Sequence, residues 1–330
     1  MSGPANKPDA PAAAAVTLGY VLNRGWRVFG GGFGFLAFGC GGLVFGALVV
    51  PVLVLIYRDP VRRRVQVRRG LGVCMRLFVW IVSRLDVIEV RIRGAEHLLT
   101  AGAVIAPNHP TLIDVVLLLA VAPQLDCVIK GDLLRNVFLR RAVSAAGYIP
   151  NAEGPELVAR CADVLRTGRS VLIFPEGTRT VPGQPPQLRR GACSIAVLAD
   201  APLVPVLIRC VPAALSKQHR WYDLPAGPLQ FDIDVLAPWS ARSFGEKAVA
   251  GSLQVNGSGP VPANVPAADG VTDSRFRLVR EMTRALASVY RSALGFPESS
   301  TPAGSVRIEC ECPPKAEASV EVRTDERFVQ

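Results

Sequence analysis

Hydrophobic and polar positions divide this chain into three kinds of stretch. Val28–Tyr57 runs thirty residues without a charge, longer than the roughly 20 residues that a membrane-crossing helix needs. Its many glycines and Pro51 argue against one straight helix, so a spanning helix and a re-entrant hairpin both fit. Next, Leu71, Met75, Phe78, Val79 and Val82 recur at helical spacing with Arg76 and Arg84 off that face. This predicts an amphipathic helix over Leu71–Leu85, suited to the membrane interface beside the anchor.

From Glu89 to about Leu236 short β-branched runs alternate with helical ones. Strands are expected at Glu89–Ile92, Ala103–Ala106, Cys127–Ile129, Ser170–Phe174, Leu203–Ile208 and Phe231–Val235. Helices are expected near Val115–Ala122, Asp132–Ala146, Pro155–Thr167 and Ala192–Ala199. Such alternation predicts an α/β fold with a mixed, largely parallel sheet flanked by helices, here carrying an N-terminal membrane anchor. The expected organisation is a disordered N-terminus (1–27), the anchor with its interfacial helix (28–85) and the α/β domain (86–240). A flexible Gly/Ser/Pro-rich insertion (241–271), a C-terminal amphipathic helix packing on the domain (272–295) and a disordered tail (296–330) complete it.

Charge sharpens the reading of the anchor. The formal net charge is +10, and ten arginines lie between Arg58 and Arg93 against Asp59, Asp86 and Glu89. A basic block directly after an apolar segment suits anionic membrane lipids and puts the downstream chain on the cytoplasmic side of a bacterial-type inner membrane. Nucleic acid is not the expected partner, because no zinc-ligand spacing, recognition helix or aromatic-interleaved basic sheet is present. The eight cysteines are dispersed, mostly in apolar stretches, so neither a disulfide framework nor a metal site is indicated. His97 and His219 sit in polar connections without ligand spacing.

Two stretches carry candidate chemistry. Pro107–Asp114, Pro-Asn-His-Pro-Thr-Leu-Ile-Asp, lies between an expected strand and an expected helix. A histidine five residues before a carboxylate across such a turn lets the carboxylate accept the ring Nδ1–H and leaves Nε2 as a base. By itself the stretch fits equally a structural histidine beside a helix-capping aspartate. Phe174–Thr180, Phe-Pro-Glu-Gly-Thr-Arg-Thr, follows a second apolar strand. There Gly177 permits close backbone approach and Arg179 offers a planar fork suited to phosphate.

Asn108-His109-x4-Asp114 followed by Phe174-Pro175-Glu176-Gly177-Thr178-Arg179 resembles the first and third sequence blocks of the glycerolphosphate and lysophospholipid acyltransferase family. Lys130–Leu133 with Gly147–Pro150, and Leu203–Val206, fall where that family has its second and fourth blocks, so the resemblance covers about Glu89–Val235. It implies a membrane-bound O-acyltransferase that moves a fatty acyl group from an acyl-carrier-protein or coenzyme A thioester to the hydroxyl of a lysophospholipid. His109 is then the general base and Asp114 its orienter. Glu176, Gly177, Thr178 and Arg179 are the acceptor-binding residues, and Lys130 a further contact. The thioester is already activated, so this chemistry asks for no cofactor beyond the donor and no metal. One departure is plain: the family's second block usually ends in an arginine, whereas here the run is Tyr148-Ile149-Pro150-Asn151-Ala152-Glu153. With Asn151 as the polar contact in that place, either Arg179 and nearby Arg189 or Arg190 hold the acceptor phosphate alone, or the acceptor is a different one, such as a specialised glycolipid or polyene lipid. A catalytically inactive membrane-associated relative is the other alternative.

Overall fold

The computed structural model describes residues 18–151, 154–240, 244 and 267–296. The expected insertion and tail therefore lie largely outside the described residues, as does the start of the N-terminus. The chain opens with an apolar helix α1 (Leu18–Val44), a five-residue π-turn (Phe45–Val49) and α2 (Val50–Ile56). The π-turn ends two residues before Pro51, whose missing N–H and bulky ring interrupt the regular ladder at this point. Leu18–Ile56 is 39 residues and contains an 18-residue window of mean hydropathy 2.5, long and apolar enough to cross a membrane by length and composition. Helix α1 starts ten residues earlier than expected. The early start is held in place because Arg27 turns inward to Asp86 at 2.9 Å and donates to the Ala226 carbonyl at 2.7 Å.

Asp59 then caps α3 (Pro60–Arg84), accepting from the Val61 and Arg62 N–H groups at 3.2 and 3.0 Å, with Pro60 at the first helical position. Helix α3 returns antiparallel along α1: Gly34 faces Val82, and Phe45 faces Gly70. A Cβ on Gly34 would stand 2.4 Å from Val82 Cγ1, so only glycine lets the helices approach this closely. The stripe Leu71, Met75, Phe78, Val79 and Val82, which the spacing assigned to an interfacial face, is buried in the protein core. The apolar groups that α3 exposes are different ones, among them Val73 and Leu77.

The sheet strands are β1 (Ile88–Arg93), β2 (Val104–Pro107), β3 (Asp126–Ile129), β4 (Ile149–Pro150), β5 (Val171–Leu172), β6 (Leu203–Val211) and β7 (Leu229–Val235). Their order is β1-β7-β6-β2-β5-β3-β4, all neighbours parallel except β6 with β7. The mixed, largely parallel sheet is thus as expected, with β4 as an unforeseen edge strand. The helices are α4 (Asp114–Val121), α5 (Arg140–Ala146), α6 (Pro155–Arg166), α7 (Gly191–Ala199) and α8 (Ala267–Ala293). One core lies between the sheet, α3, α4 and the N-terminal apolar helix, and the other beneath α6, α7 and α8. The expected single helix Asp132–Ala146 is instead a short 3-10 turn (Gly131–Leu134) followed by α5. Asn136 breaks it, because its side-chain oxygen accepts the N–H groups of Phe138 and Leu139 at 2.9 and 3.2 Å.

A buried ion pair ties α3 to the sheet. Arg68 grips Asp126 through two bonds of 3.0 and 2.6 Å and also donates to the carbonyls of Ala146 and Gln124 at 2.8 and 3.2 Å. Both side chains are almost wholly buried. Asp126→Ala strands the guanidinium, and truncating one partner of such a pair costs about 3–5 kcal/mol. Denaturant unfolding in detergent micelles measures this. A loss below about 1 kcal/mol, the level of an exposed pair, would mean that the carbonyls satisfy Arg68 without its carboxylate.

Candidate active site

In a parallel sheet the strand carboxyl ends share one edge, and ligands meet the loops that leave it. Strands β2, β5, β3 and β4 are consecutive neighbours here, and their C-terminal loops carry His109, the 174–180 segment, Lys130 and Asn151 respectively.

The chain leaves β2 under tight control. Asn108, fully buried, donates from Nδ2 to the Ile208 carbonyl at 2.9 Å and accepts the Ile208 N–H at 2.6 Å. Its amide thereby replaces the next rung of the ladder with β6 and fixes the direction in which His109 departs. His109 Nδ1 lies 2.8 Å from Asp114 Oδ2. Asp114, at 0% exposure in the first turn of α4, also accepts the Thr111 N–H at 2.7 Å and the Thr111 hydroxyl. An acceptor-only carboxylate surrounded by these donors requires the ring proton on Nδ1, which frees Nε2 as the acceptor nitrogen. The ring packs on Phe174 with centroids 4.2 Å apart.

The 174–180 segment braces the same histidine. The His109 N–H donates to Glu176 Oε1 at 2.9 Å, the Thr180 hydroxyl donates to that oxygen at 2.7 Å, and the Thr180 N–H donates to the His109 carbonyl at 2.7 Å. Glu176 is buried at 5% exposure and faces the His109 backbone. Gly177 takes φ +66°, and a Cβ there would stand 3.2 Å from Arg189 Nε. Arg179 donates from Nη1 to the carbonyls of Leu215 and Ser216, each at 3.2 Å, so part of its fork is engaged by the 212–228 loop. Thr178, Lys130 and Asn151 are exposed. Lys130 lies two strands from β2 and Asn151 three, roughly 10 and 14 Å at ordinary strand spacing, so the structure gathers His109, Asp114 and Glu176 but not these two. Three further contributors went unmarked in the sequence reading. Asn108 and Thr180 lie inside the quoted blocks, whereas Tyr290, whose hydroxyl donates to the Ala106 carbonyl from α8, has no local signal.

Burial pushes the Glu176 carboxyl above its ordinary value of 4.5, opposed by the bonds from Thr180 and the His109 N–H. A raised carboxylate keeps its proton in the folded state at pH values where the unfolded chain has lost it. Its contribution to stability is therefore present below about 4.5 and is lost as pH rises through the folded value. Wild type is expected to lose stability relative to Glu176→Gln across that window in paired unfolding measurements. Parallel curves would contradict the burial argument.

The described residues form an α/β fold whose candidate site lies at the carboxyl edge of a largely parallel sheet, and comparison with known proteins shows what the chain is similar to. Residues 89–209 match the family model described as Acyltransferase. The chain is 28% identical over 219 residues to 1-acyl-sn-glycerol-3-phosphate acyltransferase alpha of Mus musculus, covering 63% of this chain and 70% of the mouse protein. It is 34% identical over 122 residues to the 1-acyl-sn-glycerol-3-phosphate acyltransferase of Bacillus subtilis, covering 35% of this chain and 60% of that one. The crystal structure of the 1-acyl-sn-glycerophosphate acyltransferase PlsC from Thermotoga maritima shares the fold with a TM-score of 0.51 at 16% identity, covering 82% of this chain and 95% of that chain. Residues 89–209 are thus similar to the acyltransferase domain of proteins named as 1-acyl-sn-glycerol-3-phosphate acyltransferases.

Proposed function

We propose that this protein transfers a fatty acyl group from a thioester donor to the free hydroxyl of a lysophospholipid at a membrane surface. The observation that carries the reading is the 2.8 Å contact of His109 Nδ1 with the wholly buried Asp114. In the proposed step Nε2 of His109 takes the acceptor's hydroxyl proton as the oxygen attacks the thioester carbonyl. The C–S bond then breaks, and the departing thiolate takes the proton back from the imidazolium. Asp114 holds the tautomer and stabilises the transient positive ring. Glu176 and Thr180 clamp the backbone on which the ring is carried. The free part of the Arg179 fork, with Gly177, Thr178, Lys130 and Asn151 along the same edge, meets the acceptor's polar head.

The apolar helix Leu18–Ile56 would seat the enzyme in the membrane, where both its acceptor and its product reside. The arginines at the α2–α3 turn and along α3 favour anionic lipids on the cytoplasmic side. A second reading, a non-glycerophospholipid acceptor, draws on Asn151 in the second block and on the engagement of Arg179 by two carbonyls.

The purified protein in anionic micelles, given acyl-coenzyme A or acyl-carrier protein together with 1-acylglycerol-3-phosphate, is expected to release thiol and form the diacyl phosphate in equal amounts. A panel that includes monoacylglycerol and glycolipid acceptors separates the two readings. Turnover confined to acceptors without a glycerol phosphate would overturn the first.

A further inference from the structure

A second basic feature lies away from the His109 site. Between α8 and the loop that enters α7 is a cleft of about 220 Å³, lined by Arg190, Arg280, Arg284 and Arg291 together with Gln187 and Thr283. No carboxylate is among its described lining residues. Arg280, Arg284 and Arg291 follow one another at steps of four and seven along a single stripe of α8, and Arg190 stands at the N-cap position of α7. Arg280, Arg284 and Arg190 are exposed. Like charges four residues apart on a helix destabilise it, and an arginine-lined concavity without carboxylates is the arrangement that bound phosphates relieve through bidentate guanidinium bonds.

Two residues lining the cleft adjoin residues that brace the edge carrying His109. Arg190 follows Arg189, whose N–H donates to the Pro175 carbonyl at 2.7 Å and whose guanidinium packs over Gly177. Arg291 follows Tyr290, whose hydroxyl donates to Ala106 just before Asn108 and His109. α7 begins at this edge and α8 ends there, so the Arg190 and Arg291 end of the cleft lies at the side of the sheet from which the His109 loop departs. It is separate from the 176–179 segment assigned to the acceptor.

We propose that this arginine cleft binds the phosphate groups at the nucleotide end of a coenzyme-A-type acyl donor. The inference rests on the acyl-transfer reading above, since it assigns the site for that reaction's second substrate. Concavity favours a small phosphorylated head over the convex acidic surface of a carrier protein. The pantetheine arm then leads from the cleft to the strand edge, presenting the thioester to His109.

The probe is adenosine 3′,5′-bisphosphate, titrated calorimetrically into the full chain in micelles. It is expected to bind wild type and to bind Arg280→Gln/Arg284→Gln roughly tenfold more weakly, the scale of losing a charge-assisted contact. Kinetically, the double variant should raise KM for acyl-coenzyme A by a similar factor while leaving turnover of the phosphate-free donor acyl-pantetheine unchanged. The bisphosphate should also compete with acyl-coenzyme A in wild type. Bisphosphate binding with no transfer to any lysophospholipid would support the cleft while sinking the acceptor reading. Absence of bisphosphate binding to wild type overturns the cleft whatever the acceptor. So does an equal loss with acyl-pantetheine, or an effect confined to acyl-carrier protein or to binding of phosphatidylglycerol vesicles. The wild-type titration decides even if the double variant folds poorly.

Discussion

His109→Ala is expected to lower the turnover of acyl transfer about a thousandfold, within the 10²–10⁴ range of a positioned general base, with little change in the KM for the acceptor. The reason is geometric. The ring lies between Phe174 on one face and Asp114 at Nδ1, and its backbone is held at both N–H and carbonyl by Glu176 and Thr180. Those backbone bonds survive the substitution, and Asp114 keeps its two donors from Thr111, so the site loses its base without losing its frame. Thiol release in single-turnover assays, with unfolding curves to confirm stability, measures the effect. A variant within about tenfold of wild type would remove His109 from the mechanism, because effects of that size are within reach of altered packing.

Asp114→Asn should cost nearly as much while preserving shape. The buried carboxylate accepts from three donors: the imidazole, the Thr111 N–H and the Thr111 hydroxyl. A carboxamide presents an NH2 on one side, so one of these donors must face another donor, or the imidazole must change tautomer and place its proton on Nε2. In that tautomer the nitrogen facing the substrate holds a proton and takes none, and the loss approaches the 10⁴-fold scale known for a wrong-tautomer triad. Leaving a donor unmatched costs about 1–3 kcal/mol of stability as well. Nitrogen NMR of the His109 ring reads the tautomer directly. Unchanged tautomer with unchanged turnover would reduce Asp114 to a helix-start residue.

Much of the fold was readable from local pattern because strand burial and helix periodicity repeat at short range. The strands near residues 89, 104, 127, 171, 203 and 231 were each expected within a few positions. Misreadings have particular causes. Asn136 diverts two backbone N–H groups and breaks a helix whose apolar spacing looked continuous. The α3 stripe has the composition of a lipid-facing surface, yet it is buried in the core against its neighbours. Periodicity shows that a face is apolar and does not say what covers it. Two-residue β4 is too short to carry a pattern at all.

At the site, residue types and their spacing were enough to bring His109, Asp114 and the 174–180 segment forward as candidates, since an imidazole, a carboxylate and a glycine-containing turn are chemical properties of the chain. Only the folded chain turns Glu176 onto the His109 backbone, engages Arg179 with the 212–228 loop, and lays the arginines of α8 beside Arg190. These are contacts between segments from about 35 to 100 residues apart in sequence. Local chemistry is written at one position, whereas a contact depends on two, and strand order decides which pairs of positions ever meet.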